Sequence, residues 1–278
     1  MPRPNVDRSA ECNGGSTANV WREASPALKA AKRPRTLVRG FHFASAVFLG
    51  LLIRPLGGNP AGLIADPIAG ESDLAEQGFQ WKMALIQSSL FLGIQHTGRL
   101  VEEKTRRELK GPFWSDYLHS VSTIHTWNDG DSITTNYLGH PIMGAVAGYI
   151  QIVNDPVGRR LEFEISSTQY WRSRLKAFAW AAAYSTQFEF GPISEASIGN
   201  VGKHPPTMAV VDLVVTPIGG FALIVLEDYL DKRFIDGWES RTSNTKIRLY
   251  RIALNPSRSL TNLIRFKRPW YRDNRPAL

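Results

Sequence analysis

Apolar positions along the chain recur with helical rather than alternating spacing. Residues 79–103, "FQWKMALIQSSLFLGIQHTGRLVEE", set Trp81, Leu85, Leu92, His96 and Arg99 within about 60° of one another at 100° per residue. Met83, Ile86, Leu90, Phe91 and Ile94 cover the other sides. The pattern predicts a helix apolar nearly all round, buried in protein or in lipid. Residues 136–156, "NYLGHPIMGAVAGYIQIVNDP", predict a second helix. Asn136 is placed to cap it and Pro141 to sit in its first turn. Gly144 and Gly148 form a small-residue face that lets another helix approach closely, and Asn154-Asp155-Pro156 ends the run.

Residues 169–200 begin with Arg172, Arg174 and Lys176 among aromatics and carry only about 12 apolar residues before Glu189. That length suits a buried or interfacial helix. A break follows at "GPISEASIGN", with a short helix expected near Ser194–Ile198. Residues 208–234 are the most hydrophobic stretch, and Pro217 with Gly219-Gly220 predicts a kink or break within it. Residues 111–136 read as loop or short helices, with a turn at "NDGD", 128–131, whose oxygen spacing does not fit a calcium loop.

The two ends differ from this body. Residues 1–40 lack periodicity and predict a disordered basic N-terminus. A basic flank then precedes the apolar run at 41–53, so 41–70 is expected to be a signal peptide or membrane anchor. Residues 236–278 predict a basic amphipathic tail with interfacial Trp270 and Tyr271.

Charge sharpens the division. Residues 1–40 carry 8 Lys/Arg against 3 Asp/Glu, and 241–278 carry 10 against 1, whereas the whole 278-residue chain is only +8. Basic ends on an acidic body imply an anionic partner surface. No nucleic-acid motif is present, so the expected partner is membrane lipid, through anionic headgroups at the basic termini. The 8 Trp residues fit an interfacial setting. The lone cysteine, Cys12, excludes an intramolecular disulfide and a thiolate metal cluster.

Several motifs in order resemble a family of bacterial membrane-associated proteins of unassigned activity. They are "GHPIMGAVAGYI", a Trp-rich helix ending near "EFGPISEASIGN", "DLVVTPIGG" and "LNPSRSLTNLIRF", over about residues 75–270. The resemblance implies an exported or membrane-associated helical protein of the cell envelope. This chain departs from the family pattern after the double glycine. Ile224-Val225 stands where Gly-Glu is usual, and the acid comes later, at Glu227.

Ionisable groups in the apolar segments are the candidate chemistry, because an unpaired charge there costs several kcal/mol, roughly. They are His96, Arg99, His140, Glu189, Glu195, Asp212 and Glu227. Three readings stay open. In a catalytic site His140 acts as base, oriented by Asp212 or Glu195, with Ser185 or Ser194 as nucleophile; no G-x-S-x-G elbow is present. A metal site lacks paired ligands on one helical face, and Asp212 and Glu227 stand 15 residues apart, about 22 Å along a helix. In a structural network Arg99 bridges to Glu189 or Asp212, and His140 meets an acid from another helix, while Gly144, Gly148, Gly219 and Gly220 serve packing.

The expectation is an all-α, membrane-associated helical bundle with kinked or broken apolar helices, its helical domain at 71–235. The expected role is that of a non-catalytic envelope protein without cofactor or metal. The alternative is a hydrolase acting on lipid or glycolipid through a His/Asp/Glu site.

Overall fold

A computed structural model describes residues 78–101, 105, 106, 109, 112–122, 127, 132–197 and 210–275. The disordered terminus expected at 1–40, the signal peptide or anchor at 41–70 and the turn at 128–131 lie outside these residues. Among the described residues all regular structure is helical. We label the α-helices α1 (Trp81–Leu100), α2 (Phe113–Ser122), α3 (His140–Asn154), α4 (Thr168–Phe190), α5 (Val210–Leu230), α6 (Asp236–Glu239), α7 (Asn244–Leu254) and α8 (Pro256–Ile264). The fold is all-α.

Helix α3 is the axle. Its sequence has no polar face, and the structure accordingly buries all but three of its 15 residues, with α1, α4, α5 and α8 packed around it. Pro141 is the second residue of α3 and offers no N–H to the turn before it, where the helix is π-helical instead of α-helical. The helical course begins earlier, in a π-helical turn at Thr135–Gly139. There the Ser132 hydroxyl accepts from the Thr135 N–H at 3.1 Å, while Asn136 turns inward and is buried instead of capping. Asp155, before Pro156, is extended (φ −96°, ψ 110°) and ends the helix.

α3 and α5 run parallel, since His140 meets Asp212, Gly144 meets Gly220 and Tyr149 meets Asp228 in sequence. The Gln80 N–H donates to the Asn154 carbonyl at 3.0 Å, and Lys176 pairs with Asp155 at 3.3 Å. The starts of α1 and α4 therefore lie at the end of α3, and both run antiparallel to it. The α3–α5 crossing is tight. A Cβ on Gly144 would stand 1.9 Å from the Thr216 carbonyl oxygen, and one on Gly220 would stand 2.5 Å from the Gly144 carbonyl carbon. A Cβ on Gly148 would meet Ile224 Cδ1 at 2.5 Å, and one on Gly219 the Pro141 Cγ at 2.7 Å. No real side chain tolerates the first two approaches, so the glycines fix how near the two helices come.

α5 is not broken where the sequence predicts. It runs as one helix through Pro217 and the glycine pair. The glycines there make the contact with α3. Irregularity falls at the two π-helical turns, Thr135–Gly139 before α3 and Asp231–Ile235 after α5. The latter joins α5 to α6, and the continuous helical course Val210–Glu239 is the one among the described residues long and apolar enough to cross a membrane.

On two helices, α1 and α5, polar side chains are buried while large apolar ones are exposed. On α1 the buried residues are Ala84, Gln87 and His96, while Trp81 is 62% exposed and Leu85 55%. On α5 Asp212, Thr216, Glu227 and Asp228 face inward, while Ile218 is 56% exposed and Leu226 49%.

The C-terminal residues are not a free basic tail. α7 and α8 fold back onto the body, with Thr261 donating to the Val146 carbonyl at 3.3 Å. Ile264 joins Ala84, Val146 and Ile150 in one apolar cluster. Trp270 and Tyr271 are half-buried, with Arg248 over the Trp270 ring at 5.3 Å and Lys267 over Tyr271 at 3.9 Å.

Candidate functional site

Two polar centres occupy opposite ends of the bundle. The first lies where α3 and α5 begin. Their parallel course and the glycine crossing bring the first residue of α3 against the first turns of α5. His140 Nε2 stands 3.1 Å from Asp212 Oδ1, and its Nδ1 is 3.3 Å from the Thr216 hydroxyl. Asp212 and Thr216 are four residues apart and so share one face of α5. The Ser185 hydroxyl of α4 donates to the Asp212 backbone carbonyl at 3.2 Å. All four residues are buried.

Glu195 does not belong to this group. It sits in the turn after α4, where it pairs with Arg99 at 3.4 Å and lies 3.7 Å from His96 Nδ1. The other His96 nitrogen faces the Ile193 carbonyl at 3.3 Å, and the ring stacks on Phe188 with centroids 5.0 Å apart. Arg99 thus joins Glu195, an acid the sequence does not pair with it. Glu189 is buried in the last turn of α4, and its backbone carbonyl accepts from the Ala196 N–H at 3.1 Å. Of the candidate nucleophiles, Ser185 is committed to Asp212, and Ser194 is buried and accepts from the Ser197 N–H at 3.1 Å. No group of three His, Cys, Asp or Glu among the described residues is arranged to hold a metal ion.

The second centre lies at the carboxyl end of α5, and its arginines carry no signal in hydropathy. Glu227, Asp228 and Asp231 crowd three acids onto one buried stretch of the helical course, where burial and mutual repulsion disfavour carboxylates. Arginines from α4 and from the C-terminal residues answer them. Arg174 is fully buried and donates to Asp228 at 2.8 Å, to the Gly158 carbonyl at 3.2 Å and to the Leu161 carbonyl at 3.1 Å. Its guanidinium also lies 4.5 Å from the centre of the Tyr170 ring. Arg258 pairs with Asp228 and stacks on Tyr149 at 5.0 Å. Arg272 and Arg275 meet the two oxygens of Asp231 at 3.2 and 3.1 Å. Tyr149 and Tyr170 hydroxyls complete Asp228 at 3.3 and 3.1 Å.

Glu227 has a distinct task. Its two oxygens accept from the backbone N–H groups of Ser257 and Arg258, at 2.9 and 3.2 Å. It therefore caps the amino end of α8 from another helix, satisfying donors that α8 leaves open. Farther along, Arg265 grips Asp273 with two bonds of 2.8 and 2.9 Å. Burial works against the Asp273 carboxylate, but the hydrogen bonds and charge of Arg265 outweigh it and hold the pKa below the ordinary value.

Chemically the second centre is dominated by internal ion pairs, in which Asp228 and Asp231 are each met by arginines. The first centre has the elements of an acid–base relay, a carboxylate on one imidazole nitrogen and a hydroxyl on the other. No family model, curated protein or solved structure matches this chain.

Proposed function

We propose that this protein is a non-catalytic helical bundle embedded in the membrane of a bacterial envelope, with α5 crossing the bilayer and α1 beside it facing lipid. One observation carries the reading: charged and polar side chains point inward while Trp, Leu and Ile point outward on the same helices. In water such a surface associates or aggregates. In hydrocarbon it is the favourable arrangement, and buried polar groups then hold helices together. The motifs around His140, Asp212 and Asn255 that resemble bacterial membrane-associated proteins agree with it. The role is architectural: the paired centres fix helix order at each end, and the glycine crossing fixes the spacing between them.

The test uses the full-length protein at native expression. Membranes are washed with alkaline carbonate and then urea. The protein stays in the pellet and is released only by detergent. Release by carbonate contradicts embedding.

A second reading rests on the line Asp212–His140–Thr216. A carboxylate oxygen 3.1 Å from one imidazole nitrogen and a hydroxyl 3.3 Å from the other are the parts of a nucleophilic site. A lipid or glycolipid ester hydrolase built on it requires hydrolysis of a short-chain nitrophenyl ester that Thr216→Val abolishes without changing the melting temperature. The architectural reading requires no turnover and a lower melting temperature.

A further inference from the structure

The outward face of α5 does not end abruptly at its carboxyl end. It passes into a line of aromatic rings from separate segments. Tyr170 and Phe163 have centroids 5.5 Å apart, Phe163 and Tyr229 5.5 Å, Tyr229 and Phe234 6.5 Å, Phe234 and Trp238 5.8 Å, and Trp238 and Tyr250 4.9 Å. Helix α4, the residues before it, α5 with its π-helical extension, α6 and α7 all contribute. Tyr229, Phe234, Trp238 and Tyr250 are each exposed on this line. Tyr and Trp settle where one ring edge is apolar and the other wet, as at the headgroup level of a bilayer.

The charges around the line are unequal. Its nearby acids, Glu162, Asp236 and Glu239, are engaged by Lys232, Arg251 and Arg275. Glu164 is exposed and accepts bonds from Ser166. Arg172, Arg233, Arg241 and Lys246 are exposed, and none forms an ion pair among the described residues. Arg172 follows Trp171, and Arg233 precedes Phe234. The five arginines Arg251, Arg258, Arg265, Arg272 and Arg275, by contrast, are spent on internal acids. Positive charge not spent on internal acids therefore flanks the ring line, whereas these five C-terminal arginines are committed internally.

We infer that this aromatic and basic rim binds anionic lipid headgroups, with Arg172, Arg233, Arg241 and Lys246 as the phosphate contacts. The inference rests on the embedded reading and adds a lipid class and a place to it. Lipid is favoured over nucleic acid because three of the five ring contacts are edge-on and the other two tilted, so the rings do not align into one flat stacking platform, and because the line continues an apolar helix face.

The test reconstitutes the full chain into phosphatidylcholine vesicles and adds trace spin-labelled phosphatidylglycerol or spin-labelled phosphatidylcholine. The motionally restricted fraction of each label reports lipid held by the protein. Wild type restricts the anionic label several-fold more than the neutral one, and salt near 1 M, with a Debye length of about 3 Å, removes the difference. The variant R172Q/R233Q/R241Q/K246Q restricts both labels equally, with an unchanged melting temperature and unchanged restriction of the neutral label. A preference absent in wild type, or retained in the variant, overturns the inference. No restriction of either label in wild type overturns the embedded reading as well, which separates the two failures. If mass measurements show that the variant's only change is from dimer to monomer, the rim belongs to a second copy and the inference also falls.

Discussion

The carbonyl oxygen of Thr216 occupies the place a Cβ of Gly144 would need, 1.9 Å from it. The obstacle is backbone, so neither helix can relax by turning a rotamer. Gly144→Ala must push α5 away from α3, and it also moves the Thr216 hydroxyl away from His140. Overpacking of this kind costs about 1–3 kcal/mol, and this site is expected at the upper end. Gly148→Ala clashes with Ile224 Cδ1, a side-chain end, and meets the Ala177 carbonyl oxygen and Cβ only at ordinary contact distances of 3.4 and 3.5 Å, so it costs less. Gly93→Ala meets nothing within 4 Å and stabilises by up to about 1 kcal/mol. Thermal melts of the three variants give that order.

His140→Ala strands the buried Asp212 carboxylate and costs about 3–5 kcal/mol. His140→Asn retains a donor and costs less. Asp212→Asn removes the charge itself, so in the double variant with His140→Ala the second loss is smaller than the first. A double-mutant cycle read by melting measures this coupling. Additive losses contradict a paired centre.

Glu227→Ala removes the cap on α8 and costs about 0.5–2 kcal/mol. The loss is local: amide exchange across Ser257–Ile264 accelerates, up to about tenfold for each 1.4 kcal/mol, while α1 exchanges as before. Glu227→Gln keeps one acceptor and lies between. Equal acceleration throughout the bundle contradicts a cap that acts on α8.

Asp273 is held below the ordinary carboxylate value of 3.8 by Arg265, with burial opposing. The sign follows from linkage. The folded state favours the charged form, so the Arg265 clamp contributes fully above the unfolded pKa. The contribution fades as pH falls through 3.8 and vanishes below the lower folded value. Asp273→Asn is therefore less stable than wild type at pH 7, by about 1–3 kcal/mol, and the difference closes as the pH falls through 3.8 and past the lowered folded value. A difference that grows on acidification contradicts the assignment.

Much of the fold can be read in the chain because its cues are local. Apolar residues on every side of 140–154 announce a central helix, and Pro156 announces its end. Gly144 and Gly148 announce the close approach, although not its partner face at Thr216 and Gly220. The pairing of His140 with Asp212 is legible as two isolated polar groups in apolar runs. Glu195 falls to His96 and Arg99 because the chain reverses at Gly191, a long-range fact that periodicity does not carry. The arginine centre is illegible for a different reason. Arg258, Arg272 and Arg275 look like a solvated basic tail, and only the sign contrast with Glu227-Asp228 and Asp231 points to their burial. Pro217 reads as a kink or break, but the helix is continuous through it, and Gly219 and Gly220 pack there against Pro141 and Gly144.

The outward apolar face of α5 is the centre of the proposal, and spin-label accessibility tests it most directly. In a Cys12→Ser background, single cysteines at Ile218, Ala222, Leu226 and Arg233 are labelled in protein kept in its own membranes. Labels at 218, 222 and 226 are predicted to collide readily with dissolved oxygen and scarcely with a water-soluble nickel chelate, with the reverse at 233. A chelate that reaches 218 and 222 as freely as 233 would contradict lipid at this face.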